Sequence, residues 1–150
     1  MNEQRFVCAI FCDDIRQEVG NKFSLIGCYG QGLVTKNFPV ALPKLCAHVR
    51  VYTSSNNPFQ KLVIRAKLGQ EYIAELDIPV DNMDTNILLQ DEPSRTVLNA
   101  HMVFSPLIIV EPTVLRIEVE TESGTIQGST LGIVDSEKEL DVRGNYGGNS

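Results

Sequence analysis

The sequence predicts an all-β protein, an antiparallel β-sandwich of seven to nine strands with immunoglobulin-like or C2-like architecture. Three observations carry that expectation. Apolar residues recur with a period of two, or in short unbroken runs, and rarely with a helical period. Turn-forming clusters separate the runs at the short spacing of a sandwich. A chain of 150 residues is about one domain, large enough to bury roughly 70% of its unfolded surface around one core.

Residues 6–12 are apolar on both faces, as a central strand would be, and residues 23–29 resume after a polar ten-residue connection. Phe38-Pro39-Val40-Ala41-Leu42-Pro43 reads as extended, unpaired backbone, because each proline fixes φ and removes a donor. Leu45, Ala47, Val49 and Val51 form one face of the next strand; Cys46, His48, Arg50 and Tyr52 form the other. Ser54-Ser55-Asn56-Asn57-Pro58 is a turn. Leu62, Ile64, Ala66 and Leu68 then alternate with charged positions, as do Tyr72, Ala74, Leu76 and Ile78. A three-residue loop at Gly69-Gln70-Glu71 keeps the faces matched: it pairs Leu68 with Tyr72, Ile64 with Leu76 and Arg65 with Glu75. Residues 79–93 are polar, with at most one helical turn near residues 86–90. Strands over 97–104, 107–110, 114–121 and 125–134 complete the sandwich, the last entered by a tight turn at Ser123-Gly124. The domain spans residues 1–134. Residues 135–150 form a polar tail with little apolar surface to bury.

The net charge is −6, which disfavours a duplex nucleic-acid partner, since phosphate binding rests on clustered Lys and Arg. Residues 1–70 carry 9 Lys and Arg against 4 Asp and Glu; residues 71–150 carry 4 against 15. Interleaving of the two halves in one fold would neutralise this asymmetry; oppositely charged faces for head-to-tail association are the alternative. No stretch approaches the roughly 20 apolar residues of a membrane helix, and the N-terminus lacks the features of a secretory signal. The expected location is cytoplasmic, with Cys8, Cys12, Cys28 and Cys46 all reduced.

Candidate sites are few. Cys8 and Cys12, four residues apart on one strand, stand about 13 Å apart, too far for one tetrahedral zinc or a disulfide. Buried apolar thiols are expected, with no metal and no cofactor. Gly27, Gly30 and Gly32 do not form a dinucleotide loop, because position 35 is Thr35 and Phe38-Pro39 stands where a helix should follow. Gly128-Ser129-Thr130-Leu131-Gly132 has Thr where a nucleophile elbow needs its nucleophile. His48 and His101 read as strand histidines near the surface. The run Asp13-Asp14-Ile15-Arg16-Gln17-Glu18 supplies the candidate binding residues Asp13, Asp14 and Arg16. Its three carboxylates suit Ca²⁺, although no further acidic loop is aimed at them and Asp81, Asp84 and Asp91 are the other acidic residues on hand. The simpler reading is a capped turn with Arg16 paired to a carboxylate and Gly20-Asn21 at positive φ.

The segment CDDIRQEVGNKFSLIGCYG over residues 12–30, with Phe38-Pro39, Leu42-Pro43-Lys44-Leu45 and FSPLIIVEP over 104–112, resembles a bacterial family of uncharacterised small proteins. The resemblance extends to about Val134. It implies a bacterial or phage origin and one compact domain, and supplies no catalytic or binding residues. By subtraction, the expected role is a non-enzymatic binding or assembly module, with a protein partner or a second copy of itself. The rivals are a small hydrolase or metal-dependent enzyme built on Asp13, Asp14 and His101, and a Ca²⁺-dependent lectin-like domain.

Overall fold

A computed structural model describes residues 5–80 and 95–136. The turn expected at residues 86–90, the acidic Asp81, Asp84 and Asp91, and residues 137–150 of the tail lie outside the described residues. Among the described residues the chain forms β1 (Phe6–Glu18), β2 (Lys22–Cys28), β3 (Leu33–Thr35), β4 (Val40–Leu42), β5 (Leu45–Ser54), β6 (Leu62–Leu68), β7 (Glu71–Asp77), β8 (Arg95–Phe104), β9 (Leu107–Ile109), β10 (Thr113–Thr121) and β11 (Gly124–Asp135). They build a four-stranded sheet in the order β2-β1-β5-β8 and a five-stranded sheet in the order β3-β11-β10-β6-β7. A two-stranded β4-β9 ribbon stands apart from both.

The alternating rows determine what lies between the sheets. Leu45, Ala47, Val49 and Val51 of β5 are fully buried, as expected, and Leu115, Ile117 and Val119 of β10 match them. Val7 and Phe11 from β1, Met102 and Phe104 from β8, and Leu62, Ile64 and Ala66 from β6 complete this core. Between β1 and β11 the sheets are joined by a hydrogen bond, Ala9 N–H to Ser129 Oγ at 2.9 Å. That contact follows from a bulge: two pairs, Arg116–Thr130 and Glu118–Gln127, leave one extra residue in β11 opposite Ile117.

At one end of the sandwich Arg5 gathers five partners. It donates to Thr53 Oγ1 and to the carbonyls of Asn57 and Pro58, pairs with the Glu122 carboxylate, and lies 4.5 Å over the Phe59 ring. The pairs Arg5–Glu122, Lys61–Glu120, Arg65–Glu75 and Arg65–Glu120 all join cations of the first 70 residues to carboxylates of the rest. Three cations of the first 70 residues thus meet three carboxylates of the rest, the kind of contact that interleaving of the two halves predicts.

Four expectations need correction. The strand count is higher than nine, because β3 and β4 are three-residue strands too short to show periodicity. Backbone expected to be unpaired around Pro39 and Pro43 instead pairs Val40 with Ile109 and Leu42 with Leu107. The sheets are not wholly antiparallel, since β3 runs parallel to β11 through Leu33–Ile133 and Thr35–Asp135. The β6–β7 loop is the two-residue turn Gly69-Gln70, with Leu68 opposite Glu71 and Lys67 opposite Tyr72. Gly69 has φ 61°, which suits a tight hairpin turn. A bulge beyond Lys67 then restores the expected pairs Arg65–Glu75 and Ile64–Leu76, with Arg65 Nε 2.9 Å from Glu75 Oε2. Tyr72 consequently faces outward and donates to Glu118 Oε2 at 3.0 Å.

Candidate functional site

The acidic run does not form a loop. Residues 13–18 continue β1, and β2 returns beside them with every pair in one register, from Glu18–Lys22 to Cys12–Cys28. The turn between them has Gly20 at φ 90° and Asn21 at φ 58°, the positive values expected of that dipeptide.

This hairpin does not project straight. Phe23 lies opposite Gln17, and His48 lies opposite Ile10, seven residues back along β1. A straight ribbon would put them about 23 Å apart along the strand. Instead the Phe23 ring is 4.6 Å from the His48 ring and 4.9 Å from the His101 ring. The ribbon therefore turns back over the outer face of the four-stranded sheet. Gly27 is where β2 tolerates the turn: its φ is 69°, and a Cβ there would clash with the Asp13 carboxylate. Beneath the ribbon, Cys12 Sγ donates to the Asp14 carbonyl at 3.4 Å and Cys46 Sγ to the Asp13 carbonyl at 3.8 Å.

The candidate residues thus have internal partners. Asp13 Oδ1 accepts the Tyr29 hydroxyl at 3.0 Å. Asp14 Oδ1 accepts from Lys44 Nζ at 2.6 Å and from its neighbour Ile15 N–H at 3.0 Å. Arg16 Nε stands 3.7 Å from Asp14 Oδ2, the carboxylate pairing expected of it. Hydrogen bonding to Lys44 holds the Asp14 carboxyl below its usual range, and the same contact raises Lys44. Burial, followed by the Asp13 contact, pushes the Tyr29 hydroxyl up to about 12. Among the described residues no group of three or more His, Cys, Asp or Glu is arranged to hold a metal ion. No described helix is long and apolar enough to cross a membrane.

His48 and His101 are direct partners across β5 and β8, their rings 5.0 Å apart. His48 is not near the surface as expected: it is 3% exposed, because the ribbon covers it, and its Nδ1 has no partner among the described residues. Burial, the neighbouring His101 and Arg50 together lower its pKa. Two of the four thiols, Cys8 and Cys28, are exposed rather than buried. Sequence reasoning missed that Cys28, Cys12 and Cys46 lie side by side on three adjacent strands. Extending the hairpin from its Gly20-Asn21 turn would have shown the first of those pairs.

The family of unknown function DUF6941 matches this chain over residues 7–134. The chain belongs to that family. The DUF6941 match thus takes in β1 from Val7, all of β2, the core rows and β11 as far as Val134. No curated protein and no solved structure matches the chain.

Burial raises Cys12 to about 11, with Cys46 and Cys28 adding to the effect, and burial likewise raises Cys46. Both thiols therefore stay protonated and weakly nucleophilic at neutral pH. In the native protein an aromatic disulfide reagent should modify Cys8 and Cys28 promptly. Cys12 and Cys46 should react only after unfolding, which a stopped thiol titration with and without denaturant would show.

Proposed function

We propose that this domain is a non-catalytic module that binds a protein partner through the outer face of its four-stranded sheet. One observation carries the reading. The Asp13 and Asp14 carboxylates of the distinctive Cys12–Cys28 ribbon are engaged within the fold, while Phe6, Ile10 and Val103 on the same face remain 41%, 43% and 55% exposed. Register places Phe6, Cys8 and Ile10 successively along β1, with Val103 across from Cys46 on β8. Exposed apolar side chains thus stand on either side of the ribbon, where a partner laid across this face would cover them. The net charge of −6 speaks against a nucleic-acid partner, and four thiols suit a reducing, cytoplasmic setting. A bacterial or phage origin agrees with the motif of residues 12–30.

The test compares wild type with the Ile10→Lys/Val103→Lys double variant as bait in the native host, with Lys36→Glu as a control. A protein retained at stoichiometric level by wild type and the control, and lost from the double variant, is the expected result. Retention by all three, or turnover of an ester substrate that Asp13→Ala or His101→Ala abolishes, would contradict the reading.

A further inference from the structure

The five-stranded sheet carries a second feature on its outer face. Between the Gly69-Gln70 turn and the start of β10 lies a cavity of about 330 Å³, lined by Lys67, Gly69, Gln70, Thr113, Val114 and Arg116. Lys67 and Arg116 are direct partners in the β6–β10 register, so their side chains leave the sheet on one face. Two cations directly opposite each other repel, an arrangement that is destabilising when left alone.

The other cations of this face are compensated. Lys61 Nζ is 2.9 Å from Glu120, and Arg65 bridges Glu75 and Glu120. Among the described residues neither Lys67 nor Arg116 forms an ion pair. Lys67 Nζ lies 5.3 Å over the Tyr72 ring, and the nearest same-face carboxylate along β10, Glu118, accepts the Tyr72 hydroxyl. Thr113 adds a hydroxyl to the cavity wall, Val114 an apolar side chain, and no carboxylate lines it. In a chain of net charge −6, these two cations around a cavity are matched to an anion rather than to each other.

We propose that this cavity binds a small ligand through a phosphate or carboxylate group, held between Lys67 and Arg116. The Arg116 guanidinium offers a planar fork for two oxygens and Lys67 a point charge opposite it. The volume falls at the lower end of ligand pockets, which suits an anionic head on a short apolar body against Val114. The site lies on the other sheet from the proposed protein contact, so each can fail without the other.

Titration calorimetry and amide chemical shifts, with inorganic phosphate, a sugar phosphate and a dicarboxylate as separate probes, test the proposal. Saturable one-to-one binding of phosphate compounds or of the dicarboxylate is expected, with shifts at Gly69, Gln70 and Thr113. Arg116→Gln and Lys67→Gln should each weaken it by about tenfold, and Lys36→Gln should not. The probe that binds more tightly identifies the anion. Both variants alter exposed or half-buried side chains, and without ligand they should be no less stable than wild type. Failure of all three probes to saturate at millimolar concentration, or affinity unchanged in Arg116→Gln, would overturn the assignment.

Discussion

Arg5→Ala is expected to lower unfolding stability by about 2–4 kcal/mol. The side chain is 7% exposed and holds together the start of β1, the 57–58 backbone and Glu122. Breaking a buried pair usually costs roughly 3–5 kcal/mol, and the 23% exposure of the Glu122 side chain reduces that. The same pair predicts an acid transition. Arg5 holds the Glu122 carboxyl down at about 2, from an ordinary value of 4.5. A depressed carboxyl pKa stabilises the fold above 4.5, and that contribution is lost as pH falls from 4.5 towards 2. Urea unfolding across this window should show a steeper loss in wild type than in Arg5→Ala. Parallel curves would show that Glu122 draws its stabilisation from elsewhere.

Gly27→Ala should cost about 2–3 kcal/mol. A left-handed residue with a Cβ carries roughly 1–2 kcal/mol of strain. The new methyl would also displace the Asp13 carboxylate from Tyr29, a hydrogen bond whose net worth is about 1 kcal/mol. Combining Gly27→Ala with Asp13→Ala separates the two: the clash disappears, the backbone strain stays, and the effects fall short of additive. Strict additivity would mean that Gly27 and Asp13 do not meet.

Much of the sandwich was legible because burial on one face forces alternation. The rows 45/47/49/51, 62/64/66 and 115/117/119 are read directly from residue order, and all are buried between the sheets. What stayed hidden depends on pairing rather than periodicity. Nothing within Leu33–Thr35 or Val40–Leu42 indicates which strand they join, and the bulge beside Lys67 cannot be told from a longer loop by pattern alone.

The candidate site shows the same division. The Gly20-Asn21 turn and the pairing of Arg16 with a carboxylate follow from local chemistry. The passage of a strand through Asp13 to Glu18 does not, because charges on both faces look like a loop when nothing is known to lie alongside. In the structure β2 supplies the ladder for these residues, and Tyr29 and Lys44 partner the two aspartates. The burial of His48 and Cys46 has no local signal at all, since it depends on a ribbon some 20 residues earlier folding over them.

That fold-back is the central claim, because it makes the acidic motif part of a paired ribbon that covers His48, with its two aspartates partnered by Tyr29 and Lys44. Proton NMR of the imidazoles tests it most directly. The account predicts nuclear Overhauser contacts between Phe23 and both histidine rings. It also predicts a His48 titration below the ordinary 6.5, which moves up in Phe23→Ala as the ring is uncovered. A base whose pKa is lowered by folding destabilises the protein only as pH falls below 6.5, so stability should decline there in wild type and less in His48→Gln. Absence of the Phe23 contacts, together with a His48 that titrates at 6.5 or above, would contradict the account.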